Sequence, residues 1–275
     1  MPTTTIGSST VDYRSTGSGP GLLLIHGTGA DAESNWTELI NSVAARFTAV
    51  AVNLPGSGRT PASPEPLDIV TLADQAAATA AAAGLADFHV VGHSLGAMIA
   101  TAVATAVATR HGTRVRSLVA HAGWARSGAR EQFQFGLWAS LLRTDPELLA
   151  RHLQLTAMGP ATLAGRDADE FEQAVTGFTD MLSRQQLQPL IELDAHVDIR
   201  SLLGSITAPS LVLAGRDDQI VPVAHQHELA RAIPGAVYRE LPGGHGLPFE
   251  DPAVFTAAIA DWLDGQESAT SEARR

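Results

Sequence analysis

Short apolar runs alternate with longer helical patterns along most of this chain. Runs typical of buried strands occupy residues 22–26, 48–53, 88–92, 116–122, 210–215 and 236–241. Between them, apolar residues recur at helical spacing over residues 36–44, 68–83, 95–108, 223–232 and 252–263. Alternating strands and helices are typical of a mostly parallel sheet with helices on both faces. The pattern therefore predicts a doubly wound α/β fold.

The alternation stops between residues 123 and 203. An apolar spacing of i, i+4 and i+8 begins at Phe133, and prolines at positions 146, 160 and 189 divide the segment into several short helices. A helical insertion between two strands would lie as a cap over one edge of the sheet. We therefore predict a core of residues 1–122 and 204–265, and a helical cap of residues 123–203 inserted after the sixth strand. The small, polar residues 266–275 are predicted to form a disordered tail.

Composition narrows the classes of partner. The chain has 275 residues, of which 45% are hydrophobic and 17% charged, enough for one sizeable core. The net charge of -11, with scattered arginines as the only basic residues besides histidine, argues against binding nucleic acid or a membrane surface. The N-terminal residues lack the basic start and apolar stretch of a secretory signal. We expect a cytoplasmic protein with no nucleic-acid or membrane partner, and a homodimer remains open.

Cysteine is absent, which excludes disulfides, a thiolate nucleophile and zinc bound by cysteine. His225 and His227 are two residues apart on a predicted helix and therefore point to different faces, so they do not predict a shared metal site. The expected partner is a small-molecule substrate, and neither a metal nor an organic cofactor is expected.

A candidate nucleophile lies between a strand and a helix. The run Gly92-His93-Ser94-Leu95-Gly96 matches the G-x-S-x-G pattern, in which a sharp turn exposes the serine. The pattern alone is common, but here an apolar strand pattern precedes it and a long helical pattern follows it. A serine in this position lies at a helix N-terminus, where free N–H groups favour developing negative charge. Ser94 is therefore the predicted nucleophile.

Three loops that follow predicted strands supply the other candidate groups. His26-Gly27-Thr28-Gly29 follows the first strong strand, and we assign the oxyanion hole to the backbone N–H groups of Thr28 and Leu95. Asp217 and Asp218 follow the strand at residues 210–215, and either carboxylate could orient an imidazole. His245 lies in a glycine-rich loop after the last strand. The order serine, aspartate, histidine is the one typical of hydrolases with this strand-turn-helix motif.

Together these motifs resemble the α/β-hydrolase superfamily over residues 11–263. The matching segments are residues 23–27, 53–58, 90–96, 215–222 and 244–252. In such relatives the acid commonly stands three residues after the glycine and four before the proline, which favours Asp218 over Asp217. One departure is Asn53, where many relatives have aspartate; because that loop is usually structural, the assignment is kept.

The resemblance implies a serine hydrolase in which Ser94 attacks a carbonyl carbon, His245 takes the proton and Asp218 stabilises the imidazolium. A small or medium apolar carboxylic ester, lactone or thioester is the expected substrate. The alternatives are a C–C bond hydrolase of ring-fission diketones, an acyltransferase that uses the same triad, and a non-catalytic binding protein of this fold. The residues expected to line the substrate pocket are His121, Trp124, Phe133 and Trp138.

Overall fold

A single eight-stranded sheet organises the protein, for which the computed structural model describes residues 2–7 and 9–273. The strands are β1 (Thr3–Ile6), β2 (Ser9–Gly17), β3 (Gly21–Ile25), β4 (Thr48–Val52), β5 (Asp87–His93), β6 (Arg114–His121), β7 (Ser210–Gly215) and β8 (Val237–Leu241). Their order across the sheet is β1-β2-β4-β3-β5-β6-β7-β8. Strands β3 to β8 are parallel to one another, whereas β1 and β2 are antiparallel additions at one edge.

Thirteen α-helices of the described chain surround this sheet. They are α1 (Ala32–Val43), α2 (Ile69–Ala82), α3 (Leu95–Ala102), α4 (Ala108–Arg110), α5 (Ala129–Thr144), α6 (Pro146–Ala157), α7 (Pro160–Gly165), α8 (Ala168–Ser183), α9 (Gln188–Asp194), α10 (Arg200–Leu203), α11 (Val223–Ala232), α12 (Leu247–Glu250) and α13 (Pro252–Ala273). A π-helical turn, Val103–Val107, joins α3 to α4. None of the described helices combines the length and hydropathy that crossing a membrane requires.

Side-chain alternation along β3 separates the core into two layers. Successive residues of a strand point to opposite faces of its sheet. Leu22 and Leu24 accordingly pack with α1 and α13, where the Trp36 and Phe255 rings stack with centroids 6.3 Å apart. Leu23 and the other residues of the opposite face pack with α2, α3, α11 and the helices between β6 and β7. The predicted α/β fold with helices on both faces is confirmed.

The cap consists of helices α5 to α10, which lie between β6 and β7. Pro146 and Pro160 are the first residues of α6 and α7, and Pro189 lies at the start of α9. Proline suits these positions because its fixed φ matches the helix and its missing N–H would have no partner inside the helix. The prolines therefore mark helix starts, and the helical insertion after the sixth strand is present.

The prediction of a disordered tail is wrong for residues 266–273, which continue helix α13. The carboxylate of Glu267 accepts a hydrogen bond from the Arg116 guanidinium at 2.5 Å and lies 3.0 Å from Nε2 of His89. These partners belong to β5 and β6, so the local sequence of the tail gives no sign of them. Residues 274 and 275 of the predicted tail lie outside the described residues.

Candidate active site

A strained turn presents Ser94 at the carboxyl edge of the sheet. Strand β5 ends at His93 and α3 begins at Leu95, so Ser94 occupies the turn with φ 54° and ψ -123°. A serine at this positive φ costs about 1–3 kcal/mol, which the surrounding structure must offset. A Cβ on Gly92 would lie 2.0 Å from the Gly96 carbonyl oxygen, and a Cβ on Gly96 would lie 2.1 Å from the Ile25 carbonyl oxygen. Both motif glycines are therefore required by close backbone approach.

Three side chains that are distant in sequence form a continuous hydrogen-bonded chain. Nε2 of His245 lies 2.9 Å from Oγ of Ser94, and Nδ1 of His245 lies 2.9 Å from Oδ2 of Asp218. All three residues are buried. Because a carboxylate only accepts hydrogen bonds, the imidazole Nδ1–H donates to Asp218. The lone pair of Nε2 is then directed at the hydroxyl of Ser94, the arrangement that proton abstraction needs.

Asp218, rather than Asp217, contacts the imidazole. Its Oδ1 accepts hydrogen bonds from the backbone N–H groups of Ile220 at 2.9 Å and Val221 at 2.7 Å. Its Oδ2 also accepts one from the Gln226 amide at 3.2 Å. These donors hold the carboxylate in one orientation. The structure therefore brings together Ser94, Asp218 and His245, as the order of the motifs predicts.

The loop that carries His245 is fixed against the cap. The Glu250 carboxylate accepts hydrogen bonds from the backbone N–H of Gly244, from that of Gly159 at 2.9 Å and from the Thr162 hydroxyl at 2.7 Å. The N–H of Gly246 donates to the Ala157 carbonyl at 2.7 Å. The cap thus holds the imidazole in place in addition to covering it.

The glycine-rich loop after β3 lies directly beside Ser94. A Cβ on Gly27 would lie 2.9 Å from Cβ of Ser94, so only glycine fits there. His26 supports the loop: its Nε2 accepts a hydrogen bond from the Leu54 N–H at 3.0 Å, which leaves Nδ1–H to donate to the Gly27 carbonyl at 2.8 Å. Thr28, the next residue, lines the same cavity as Ser94.

A buried acid anchors the side chain of Thr28. The Thr28 hydroxyl donates to the Asp194 carboxyl at 2.6 Å, and the other carboxyl oxygen is buried without a hydrogen-bond partner among the described residues. Burial raises the pKa of Asp194 to about 8, an effect that the hydrogen bond from Thr28 partly opposes. Asp194 is therefore a neutral acid at pH 7, and it joins helix α9 of the cap to the loop after β3.

We predict that Asp194→Asn stabilises the protein at neutral pH. A carboxyl whose pKa is raised in the folded state keeps its proton while the unfolded chain releases it, so the free energy of unfolding falls between about pH 4 and pH 8. Each pH unit in this window corresponds to about 1.4 kcal/mol. Urea unfolding should therefore show Asp194→Asn gaining about 2–4 kcal/mol over the wild type at pH 7, with the gain shrinking towards pH 4.

The matched control for this prediction is Asp180→Asn, which alters an exposed aspartate of helix α8. It should show no comparable pH-dependent gain in the free energy of unfolding. A difference between Asp194→Asn and the wild type that stays constant from pH 5 to pH 8 would show that Asp194 is already ionised in the folded protein.

Two further histidines pack beneath the imidazole of His245. Nδ1 of His93 lies 2.8 Å from Nδ1 of His121, and the two rings stack with centroids 4.9 Å apart. Burial, together with the nearby His245, lowers the pKa of His121 to about 3. Burial and the neighbouring histidines place the pKa of His93 well below its ordinary value. Both rings are therefore neutral around pH 7 and add no positive charge beside His245.

A cavity of about 340 Å³ opens over Ser94 and His245, between the sheet edge and the cap. Of the four residues predicted to line the pocket, Trp138 lines this cavity. The cap residues Met158, Phe178 and Met181 also line it, as do Leu153 and Ile220, which the sequence did not single out. The lining is mainly apolar, which suits a substrate with an apolar body.

Three of the predicted pocket residues lie outside this lining. Phe133 is 80% exposed on the outer face of α5, so its predicted pocket role is wrong. Trp124 is fully buried in the core, where its ring stacks on Phe135 with centroids 5.8 Å apart. His121 is fully buried beneath His93. Both are therefore also corrected: each lies at or just after the end of β6, but packing turns its side chain into the core.

Comparison with known proteins agrees with this architecture. A sequence model of the alpha/beta hydrolase fold family matches residues 20–252. The pyrrolizixenacetamide deacetylase of Xenorhabdus hominickii is 33% identical over 94% of this chain and 96% of its own length. The pimeloyl-(acyl-carrier protein) methyl ester esterase of Chromobacterium violaceum is 31% identical over 91% of this chain and 96% of its own length.

Among solved structures, the enol-lactonase from Burkholderia xenovorans LB400 superimposes with a TM-score of 0.80 and 24% identity, covering 96% of this chain and 100% of that one. At this identity the likeness supports the fold. The chain belongs to the alpha/beta hydrolase fold family. The resemblance proposed from the sequence motifs is thereby confirmed, as is the prediction that the protein is a hydrolase.

Proposed function

We propose that this protein is a serine hydrolase that cleaves a small or medium acyl compound through a covalent acyl-enzyme. The observation that carries the proposal is the hydrogen-bonded chain in which Nε2 of His245 lies 2.9 Å from the Ser94 hydroxyl and Nδ1 lies 2.9 Å from Asp218. These distances lie within the range that a nucleophile and its general base require. The strained turn adds to the proposal because it keeps the serine hydroxyl at the cavity.

In the proposed first step, Oγ of Ser94 attacks the substrate carbonyl carbon while its proton moves to Nε2 of His245. The charge that develops on the carbonyl oxygen is stabilised by the backbone N–H groups of Leu95 and Thr28. Leu95 suits this role because it is the first residue of α3, whose initial N–H groups have no acceptor within the helix. Asp218 stabilises the imidazolium that forms.

In the proposed second half, the imidazolium gives its proton to the departing alcohol, thiol or amine, which leaves the acyl group on Ser94. A water molecule then attacks the acyl carbon as Nε2 of His245 takes one of its protons. The same proton returns to Oγ of Ser94 when the tetrahedral intermediate breaks down, which releases the carboxylic acid. Every proton transfer in this cycle uses the one imidazole nitrogen that faces the hydroxyl.

Cavity size and relatives support the substrate class. A volume of about 340 Å³ lies near the lower end of the range for small-molecule sites, about 300–1,000 Å³. Relatives above 30% identity include the pyrrolizixenacetamide deacetylase and the pimeloyl-(acyl-carrier protein) methyl ester esterase, whose names indicate cleavage of an acetamide and of a methyl ester. We therefore propose an apolar carboxylic ester, lactone, thioester or simple amide as the substrate.

The test is labelling with a fluorophosphonate probe followed by peptide mass spectrometry. We expect one modification, on the peptide that contains Ser94, and none in Ser94→Ala. Label on another residue of the wild type would refute Ser94 as the nucleophile, and a wild type that neither takes label nor turns over esters would favour a non-catalytic binding protein. A panel of p-nitrophenyl esters beside a coloured ring-fission diketone then separates acyl hydrolysis from C–C bond hydrolysis.

A further inference from the structure

One charged side chain lines the otherwise neutral active-site cavity. Arg166 follows α7 and is half-buried, with part of its surface on the cavity that holds Ser94 and His245. The other described residues of the lining are apolar or neutral polar, apart from the imidazoles, and they include no aspartate or glutamate. An arginine keeps its charge at every pH of interest. The cavity therefore carries a permanent positive charge without an acid of its own.

The contacts of Arg166 hold its guanidinium in place without neutralising it. Nη1 of Arg166 donates to Oε1 of Gln154 at 2.7 Å, and Gln154 is only 6% exposed. The guanidinium carbon lies 5.8 Å from the ring centre of Phe171, within the range of a cation–π contact. Within the described chain, no carboxylate oxygen lies within 4.0 Å of the Arg166 nitrogens, whereas Arg151 on the adjacent helix α6 pairs with Glu147 and Glu172.

Acidic residues follow Arg166 in the sequence, but the carboxylates of two of them form other hydrogen bonds. Oδ1 of Asp167 accepts a hydrogen bond from the Glu170 N–H at 2.9 Å, and Oε2 of Glu170 accepts one from the Asp167 N–H at 2.9 Å. This reciprocal pair is a capping box that starts helix α8. The two carboxylates are thereby held at the helix end, away from the guanidinium.

One residue of the cavity lining has a buried donor without an acceptor. Trp138, which lines the same cavity, has a buried indole N–H with no hydrogen-bond partner in the described part of the chain. A buried donor that stays unpaired costs about 1–3 kcal/mol. The guanidinium of Arg166, whose one hydrogen bond within the described chain goes to Gln154, favours a ligand that carries acceptor oxygens.

We propose that Arg166 is a specificity-determining residue that binds a carboxylate of the substrate, so that the hydrolysed acyl compound carries a negative charge in addition to its scissile bond. The guanidinium fork matches a carboxylate in two parallel hydrogen bonds. Gln154 orients the fork by accepting one N–H on the protein side. Because the net charge of the protein is -11, its overall field repels an anionic substrate. A cation in the cavity is therefore needed to attract such a substrate. This inference rests on the proposed function of Ser94.

The test compares matched pairs of esters that differ only in one charge. In one pair the charge is in the acyl part: p-nitrophenyl hydrogen adipate against p-nitrophenyl adipamate. In the other pair it is in the leaving group: 4-carboxyphenyl acetate against 4-carbamoylphenyl acetate. We expect kcat/KM of the wild type to favour the anionic ester at least about 10-fold in one of the pairs, the scale of a hydrogen bond to a charged group.

Arg166→Gln should reduce that ratio to within about 2-fold of unity, since it removes the charge but keeps amide hydrogen bonding. Arg166→Lys should keep part of the preference for the anionic ester. Raising the ionic strength should lower the kcat/KM ratio of the wild type. The matched control is Arg143→Gln, which removes a charge from an exposed part of helix α5 and should leave the ratio unchanged. If Arg166 had only a structural role, Arg166→Gln would change kcat/KM for both esters of a pair by the same factor.

A measurement that needs no turnover accompanies the kinetics: dissociation constants of benzoate and benzamide by calorimetry. Tighter binding of benzoate, lost in Arg166→Gln, supports the proposal. Equal ratios in wild type and Arg166→Gln for both ester pairs, together with equal binding of benzoate and benzamide, would overturn it. Neutral esters hydrolysed in a Ser94-dependent manner would leave the proposed function standing in that case, whereas absence of labelling and of all turnover would reject the proposed function itself.

Discussion

Ser94→Ala is expected to lower kcat for p-nitrophenyl acetate about a million-fold, close to the full contribution of the triad. The methyl group cannot form the acyl-enzyme, and without the hydroxyl the imidazole has no nucleophile to deprotonate. Groups of a triad act as one unit, so loss of the nucleophile removes the benefit of its partners too. Single-turnover and steady-state assays with highly purified protein measure the residual rate.

The matched control is Ser183→Ala, which alters an exposed serine of the cap that donates to the Asp180 carbonyl. It should leave kcat within about 2-fold, as is usual for surface changes of this size. Urea unfolding of Ser94→Ala should match that of the wild type, since the side chain is small and lies at the cavity. A residual kcat above about one hundredth of the wild type, with the fold intact, would contradict nucleophilic catalysis by Ser94.

The core of the fold and the residues that meet at Ser94 could be predicted because both depend on local signals. Each buried parallel strand is a short apolar run that ends at a glycine or a turn, and the carboxyl ends of such strands lie at one edge of the sheet. Ser94, Asp218 and His245 each follow one of these ends, so topology alone brings them together. Gly92 has an equally local cause, the close approach of β5 and α3, whereas Gly96 is required by the Ile25 carbonyl of the neighbouring strand β3.

Strands β1 and β2 could not be predicted in the same way. Both are rich in serine and threonine and lie at the edge of the sheet, and of their residues only Val11, Asp12 and Tyr13 are buried. A half-exposed edge strand lacks the continuous apolar run that identifies a central one. The position of β2 depends on pairing with β4, a long-range contact that the sequence pattern does not contain, and β1 in turn pairs with β2.

The orientation of the cap helices could not be predicted from the sequence either. Helix α5 has apolar residues on more than one face, so the spacing that begins at Phe133 does not show that Trp138 faces the cavity and Phe133 faces solvent. Arg166 was missed for a related reason. Its neighbours Asp167 and Glu170 suggest a local ion pair, and only the three-dimensional structure shows that their carboxylates form a capping box instead.

Asp218→Asn is the second change with a very large expected effect, a loss of about 10⁴ in kcat. The reason lies in the donors around the carboxyl group. Oδ1 accepts two backbone N–H groups, from Ile220 and Val221, so an asparagine would place its single oxygen there. Its NH₂ group would then face Nδ1 of His245, which must accept. The imidazole proton would move to Nε2, the nitrogen that has to receive the proton of Ser94.

Asp217→Asn is the matched control, because the two aspartates are adjacent and the substitution is identical. Asp217 is half-exposed, and kcat should remain within about 2-fold of the wild type since the imidazole keeps its tautomer. Urea unfolding distinguishes this explanation from loss of folding: Asp218→Asn should retain the unfolding transition of a folded protein although its kcat is low at every pH between 6 and 8. If Asp217→Asn were the more damaging change, the acid would have to be reassigned to Asp217. If the two variants were equally active, His245 would need no carboxylate to hold its tautomer.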